Sequence, residues 1–486
     1  MDKAGTSKPV IRGRTLSAAL AAGMIFFGCG AKTELYGPDV VMGETEDARD
    51  AGDPGGDTGE EEEPPVPTWI LKIGGAADDR ASSIAERESG GWVVAGATQS
   101  YGAGGDVWLI EMDGSGRIMH QTTYGSFPSD WAGPDALSTY GEGLLLAGGS
   151  DGRDAEGDAW VVLMDADGLV EWTRLLGGEQ SDTFSSAAVC GDGGIILAGW
   201  SMPARGDFVT DAMVAKTFPG GRFAWRKVIG GDRVTTARSL SSCRDDGILV
   251  VGETADTPDG SLDGWVARLD AEGGIVWQKT IGGPASDWAL TAVDRPDGGF
   301  FVAGITESYG AGAMDAWVLA LDASGGILWQ KTVGGAGDDW AAAAVPAGGG
   351  LVVAGTTASS GLEGYDMLIF RMDMEGGLVW QMTVSGGSRE EAAAIAASGD
   401  GGFLVAGSTT GLLDDFSDIM LVRLDGNGTV AGRCDLLREG SSVVLDSDAS
   451  VADGSLVAGD ADVDEWEADT GLAETEASAV ALCPQP

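Results

Sequence analysis

The sequence predicts an all-β fold, a seven-bladed β-propeller of four-stranded antiparallel blades, and three observations carry that prediction. A phrase of the form Trp329-Gln330-Lys331-Thr332-Val333-Gly334-Gly335 recurs along the chain. Each recurrence is followed by the same run of strand signals, and the strands are joined by turn sequences that need glycine. The phrase returns as Trp69 to Gly75, His120 to Ser126, Trp172 to Gly178, Trp225 to Gly231, Trp277 to Gly283 and Trp380 to Gly386, at intervals of 51, 52, 53, 52, 52 and 51 residues. So narrow a spread leaves no room for an independent domain between units, although a chain of 486 residues would ordinarily suggest two or three.

Within a unit the first strand is apolar and holds the Trp, as in Ile275 to Ile281. A second, Ala-rich run such as Trp288 to Val293 leads to an Asp-Gly-Gly turn, seen as Asp192-Gly193-Gly194, Asp297-Gly298-Gly299 and Asp400-Gly401-Gly402. Glycine there supplies the positive φ of a tight hairpin. The third strand is Phe300 to Gly304, echoed in Val93 to Gly96 and Leu404 to Gly407. The fourth, Ala316 to Asp322, runs through an Asp-x-x-Gly turn into the next unit. Four short strands, each meandering to its neighbour, make one blade.

The join between the fourth strand and the next first strand, best shown by Leu269-Asp270-Ala271-Glu272-Gly273-Gly274-Ile275-Val276-Trp277, resembles the tryptophan-docking repeat of the quinoprotein-like propellers. That superfamily holds the pyrroloquinoline quinone dehydrogenases and the outer-membrane assembly lipoprotein of the BAM complex. The resemblance spans residues 69 to about 432. In the family the Asp-to-Trp separation is usually one residue longer, and the Ala and Thr of the docking motif are missing here. The resemblance implies a kinship of blade architecture and no cofactor. The adjacent cysteine pair similar to the quinone-binding hallmark is absent, so no pyrroloquinoline quinone is expected.

The chain divides into four parts. Residues 1–28 read as a signal peptide: Lys3, Lys8, Arg12 and Arg14 precede an uncharged stretch, Leu16 to Gly28, too short to span a bilayer as a mature helix. Ile25-Phe26-Phe27-Gly28-Cys29 resembles a bacterial lipobox, with Phe26 and Phe27 departing from its usual residues, and implies lipidation of Cys29. Gly30 after the cysteine implies an outer-membrane address. Residues 29–68 form an acidic, Pro/Gly-rich linker, with 12 acids and 2 bases from residue 30 on, extended by self-repulsion. Residues 69–432 are the seven-repeat propeller.

The last part, residues 433–486, is an acidic segment with two readings. It holds 13 acids and one base from residue 435 and few aromatics, which suits an appendage beyond a seven-bladed ring. The stretch Asp453-Gly454-Ser455-Leu456-Val457-Ala458-Gly459 instead suggests a degenerate eighth blade: Gly459 follows Gly432 by 27 residues, as Gly304 follows Trp277. Cys434 and Cys483 bracket this segment and are expected to be bridged, whereas Cys190 and Cys243, in the same register of successive units, suit either a disulfide or two buried thiols.

A net charge of −47 repels phosphates and anionic headgroups, so nucleic-acid binding is excluded and membrane contact is expected through the lipid anchor alone. Two series of acids recur. Asp106, Asp158, Asp211, Asp263, Asp315, Asp366 and Asp418 stand just before the fourth strand, where either Ca²⁺ chelation or turn fixing would use them. Occurrence in every unit favours the turn, since a ligand site needs only one sector. Asp79, Asp130, Asp182, Asp287, Asp339 and Glu390 form the second series, which Thr235 interrupts.

In three units of that second series an indole follows the acid: Asp130-Trp131, Asp287-Trp288 and Asp339-Trp340. An acid beside an indole can grip a sugar, the ring stacking while the carboxylate takes hydroxyls. The structural alternative wedges each Trp between blades. Asp165-Ala166-Asp167-Gly168 begins like a calcium loop but lacks the later oxygens and reads as a hairpin turn.

Catalysis is poorly supplied. The single histidine, His120, fills a Trp slot and is expected as a packed ring rather than a base, and no Ser/His/Asp, Cys/His or zinc-binding set can be built. The expectation is a monomeric, non-catalytic cell-envelope lipoprotein whose propeller binds a protein or a glycan. A carbohydrate-active enzyme using paired carboxylates, or an envelope assembly scaffold, is the alternative.

Overall fold

The computed structural model describes residues 67–430 apart from short stretches within loops, and beyond 430 the strand residues and a few beside them. The predicted signal peptide, Cys29, nearly all of the 29–68 linker, Cys243 and Cys434 lie outside the described residues. Among those described, no helix is long and apolar enough to cross a membrane.

The protein is all-β. Among the described residues 28 strands run from Trp69 to Leu424, grouped four to an antiparallel meander. Unit one comprises Asp79–Glu86, Trp92–Thr98, Asp106–Met112 and Ile118–Gly125. Units two to six open on Asp130–Tyr140, Asp182–Val189, Thr235–Ser241, Asp287–Asp294 and Asp339–Ala347 and close on Val170–Gly177, Phe223–Gly230, Ile275–Gly282, Ile327–Gly334 and Leu378–Val384. Unit seven has Arg389–Ala397, Phe403–Thr410 and Ser417–Leu424, and takes its fourth strand from the other end of the body: Trp69–Gly74 pairs with Ser417–Leu424 from Trp69 opposite Arg423 to Ile73 opposite Ile419. The sheet therefore starts one strand later than the sequence repeat, and the surplus first strand completes the last sheet.

The opening strand of each unit packs on that of the next, and Arg389–Ala397 returns to Asp79–Glu86, which closes the circle. The hydrophobic clusters lie between sheets. One joins Phe301, Val318 and Val333 of unit five to Leu351, Val353 and Phe370 of unit six, and the third strand Asp315–Leu321 is buried along its whole length because both its faces meet other sheets. The Asp-Gly-Gly turns behave as the sequence requires, with φ of +77° at Gly193, +92° at Gly298 and +83° at Gly401.

Tryptophan docking locks the seams. The Trp225, Trp277 and Trp329 indoles donate to the carbonyls of Ala271, Ala323 and Met374, at 2.8, 3.1 and 2.7 Å, in the turn of the following unit. Each ring lies on that turn's positive-φ glycine: a methyl added at Gly325 would sit 2.8 Å from Trp277 Cζ3. The seam between units one and two is different. His120 occupies the Trp slot but is exposed, correcting the expectation of a packed ring. Its imidazole is too short to reach the Gly168 turn, over which only Glu111 Oε1 stands, 3.9 Å from an added methyl. Tyr124 supports that seam instead, 5.4 Å from the Trp160 ring centroid and with its hydroxyl 3.2 Å from Thr173 Oγ1.

Residues 437–481 take neither form expected of the C-terminal segment. Leu437–Glu439, Val443–Asp446, Ser450–Asp453, Val457–Asp460, Asp464–Trp466, Gly471–Glu474 and Ser478–Ala481 each pair, antiparallel, with the outermost strand of a different unit. They visit units six, five, four, three, two, one and seven in turn. No two of these described segments pair with each other, so they make no sheet of their own. The outer strand of a four-stranded meander presents an unpaired edge, and the tail covers it.

Candidate functional site

Residues of six of the seven opening strands, all but Asp182–Val189, line a cavity of about 480 Å³. Its wall is mostly apolar and small-chained, with Ala342, Ala343, Ala344 and Ala393 on one side and Asp135 and Arg238 as its charged members. Asp135 sits where the geometry of the repeat is broken, and Arg238 at a regular bulge whose residue type is broken.

In six units the opening strand carries a one-residue bulge, as between Ala289 and Thr291. Unit two skips from Ala132 to Leu137, so Gly133-Pro134-Asp135-Ala136 stands against the single Ala147. Pro134 has no N–H to give to the ladder, which suits a bulge and little else. The bulge carries Asp135 across to unit three, where it forms a parallel bridge with Ser186. Asp135 Oδ2 accepts from Ser186 Oγ and from Ser239 Oγ of unit four, each at 2.8 Å. The side chain is exposed to the cavity yet enclosed by the ring of strands. Enclosure pushes its pKa up to about 6, against the pull of the two serine hydroxyls. Exposure of the carboxyl to the cavity keeps the energetic effect below that of a fully buried group.

Arg238 occupies the bulge position of unit four, where the other one-residue bulges carry Ser82, Ser185, Leu290, Ala342 and Ala393. Its Nε and Nη2 reach the buried Glu253 carboxylate at 3.0 to 3.1 and 2.7 Å, a two-pronged pair. Burial opposes the Arg238 charge, but Glu253 more than offsets it and holds the guanidinium pKa above its usual value. Glu253 is also specific to its unit; the same register holds Gly149 in unit two and Ile305 in unit five.

The Asp-Trp pairs expected to grip a sugar are split by strand alternation, which sends neighbours to opposite faces. Asp130, Asp287 and Asp339 are buried, and Asp287 and Asp339 serve their own loops. Asp287 Oδ2 accepts from Gly283 N and Ser308 Oγ, both at 2.8 Å, and Asp339 Oδ2 from Gly335 N at 2.8 Å and Ser359 Oγ at 2.7 Å. Trp131 donates to Thr183 Oγ1 of the next unit at 3.1 Å, the wedge of the structural alternative. Trp288 is half-buried, and of the three indoles only Trp340 lines the cavity, its ring 5.3 Å from that of Tyr365.

The two acid series meet in pairs. A methyl added at Gly125 would fall 2.7 Å from Asp106 Oδ1 and 2.8 Å from Asp130 Oδ2, and Gly334 stands in the same way between Asp315 and Asp339. Burial, then the neighbouring Asp339 charge, raise the Asp315 pKa against its backbone hydrogen bonds. These carboxylate pairs recur from unit to unit and are closed over by glycine loops. Among the described residues no three His, Cys, Asp or Glu side chains converge as a cation site, and Asp165 serves its hairpin, accepting from Asp167 N and Leu169 N at 3.0 and 2.9 Å. Cys190 and Cys483 are buried in different clusters.

Asp135, Arg238 and Glu253 escaped the sequence reading. Their signal was present: a Pro inside an otherwise Ala-rich strand, and an Arg just after Thr235 interrupts the acid series.

No family model matches the chain, and no curated protein matches it. Among solved structures it is similar to Sqt1 from Chaetomium thermophilum, at 12% identity and a TM-score of 0.40 over 71% of this chain and 84% of that one. It is also similar to phage phi92 endosialidase, at 9% and 0.42 over 74% and 69%, and to a glucose dehydrogenase, at 11% and 0.33 over 56% and 93%. These are distant likenesses of fold, and nothing about this chain's ligand rests on them.

Proposed function

We propose that the chain is an exported lipoprotein whose seven-bladed propeller, of the quinoprotein-like architecture, is a non-catalytic binding module seating a protein partner in its central cavity. The observation that carries this reading is the cavity of about 480 Å³, whose charged lining residues are each specific to one unit, Asp135 on an irregular bulge and Arg238 at a one-residue bulge position that is uncharged in the other units that have it. Features common to every unit hold units together; a ligand site requires asymmetry. An alanine-rich wall suits the apolar side chains of a loop or chain end, with Asp135 and Arg238 to take its polar groups. Trp340 at the cavity is the one feature that favours a glycan instead.

Anchorage at the outer membrane through Cys29 is supported by the lipobox-like Ile25 to Cys29 and the basic residues before it. A Cys434–Cys483 disulfide is supported by the disulfide-bonded state of Cys483, and a Cys190–Cys243 disulfide by that of Cys190.

The test uses the exported chain carrying Cys29→Ala, screened on peptide and glycan arrays beside a second protein with Ala343→Trp, which fills the cavity. Peptide binding that drops at least tenfold in Ala343→Trp and again in Asp135→Asn is expected. Binding unaffected by the filled cavity would sink the reading. Turnover of a polysaccharide, lost with one acid-to-amide change, would favour the enzyme. Globomycin-sensitive processing, lost in Cys29→Ala, is expected of the anchor.

A further inference from the structure

The tail keeps a strict beat. From Val443 its strands begin at residues 443, 450, 457, 464, 471 and 478, one per unit and seven residues apart. The first residue of each stands opposite the closing glycine of an outer strand, as Val443 opposite Gly334, Ser450 opposite Gly282 and Val457 opposite Gly230. One heptad position therefore meets one position of six units, all but unit six.

Two columns follow from that beat. The second position is apolar in most segments, and its register partners in three of them are buried apolar residues: Val444 stands opposite Val333, Val451 opposite Ile281 and Ala458 opposite Ile229. The fourth position is acidic in Asp446, Asp453, Asp460, Glu467 and Glu474. Asp446 stands opposite Lys331, Asp453 opposite Lys279 and Asp460 opposite Lys227. Each of these lysines is the second residue after a docking Trp, so the repeat that builds the body also lays out the basic column. The acid-to-lysine register is confined to units three to five: Glu439 stands opposite Met382 in unit six, Glu474 opposite Thr122 in unit one and Ala481 opposite the buried Leu71 in unit seven.

We propose that the tail strands Val443–Asp446, Ser450–Asp453 and Val457–Asp460 form a charge-registered belt, in which acids spaced seven apart, opposite Lys331, Lys279 and Lys227, select the phase of the tail on the outer edges and hold the closed ring against opening. Backbone pairing carries no sequence preference, so side chains must choose the phase. A one-residue slip turns both columns to the wrong face. Opposite charges directly across a ladder stabilise it and like charges oppose it, and on an acidic body an acidic tail without the lysine column would be repelled. Leu436, Leu437 and Cys483 share one core cluster, so the tail starts and finishes at the same seam.

The experiment is hydrogen exchange followed by mass spectrometry on the full exported chain, reading belt amides against those of the third strands as an internal control. The variant Asp446→Lys, Asp453→Lys, Asp460→Lys is expected to exchange its belt amides at least about tenfold faster, the size expected of three cross-strand charge pairs, with the third strands still protected. Adding Lys331→Asp, Lys279→Asp and Lys227→Asp is expected to restore protection. The milder Asp→Asn triple, which adds no positive charge, is expected to accelerate belt exchange less, and serves if the reversal unfolds the body. Belt protection unchanged in the Asn triple, or no recovery on swapping both columns, overturns the proposal.

Discussion

Lys72 Nζ lies 2.5 Å from Asp418 Oδ2 between the first strand of the body and the last sheet, and both side chains are buried. The pair spans the one place where strands from opposite ends of the repeat array must find each other. Lys72→Met leaves the Asp418 charge without its cation and is expected to cost about 3–5 kcal/mol. Adding Asp418→Asn is expected to recover most of that. Denaturant midpoints of the three proteins check it; equal midpoints for single and double variants would remove the pair from ring closure.

The undocked seam offers a gain. His120→Trp places an indole where the other units have one, over a Gly168 turn with free space above it. A stability increase of about 0.5–2 kcal/mol is expected, readable as a raised Tm, as for other repairs toward a repeat consensus.

Docking can be weighed by comparing two glycines. Gly325 and Gly168 both have positive φ, +82° and +77°, so alanine strains the backbone at each. Only at Gly325 does the new methyl meet a Trp ring. Gly168→Ala is expected to cost about 1 kcal/mol and Gly325→Ala about 2–4 kcal/mol, the difference measuring the Trp277 contact.

Asp135 predicts a pH dependence. Its carboxyl has a pKa of about 6 in the fold against 3.8 ordinarily. Between those values the folded chain holds a proton that the unfolded chain has released, so this group's contribution is fully present below pH 3.8 and is lost as pH rises through about 6. Asp135→Asn is expected to flatten that fall. Asp315 and Glu390, also raised by burial, add the same sign elsewhere, so the difference between wild type and Asp135→Asn over pH 4 to 6.5 isolates the group. A constant difference across that range would show that Asp135 does not titrate there.

Much of the fold was legible because it is local. A Trp slot, an Ala-rich strand and an Asp-Gly-Gly turn each declare themselves within a few residues, and their recurrence gives strand order. The candidate site was legible only by exception. Asp130, Asp287 and Asp339 stood out in the sequence through repetition and proved to be buried, Asp287 and Asp339 serving their own loops. Asp135 and Arg238 matter because they do not repeat, and a search for similarity passes over such residues. The belt was missed for a related reason: its seven-residue period was sought at the 52-residue scale of the body, where a single glycine spacing suggested an eighth blade.

The repeat phrase by itself determined the all-β architecture, the strand order within a unit and the glycine at each turn, since these depend on φ preferences and on neighbours along the chain. Tertiary structure alone decided that sheets start one strand after the repeat, that Trp69–Gly74 completes the last sheet, that strand alternation parts each Asp from its Trp, and that the tail edges all the units. Those outcomes rest on hydrogen-bond partners hundreds of residues apart, and a pairing edge does not record in its own sequence which strand will fill it.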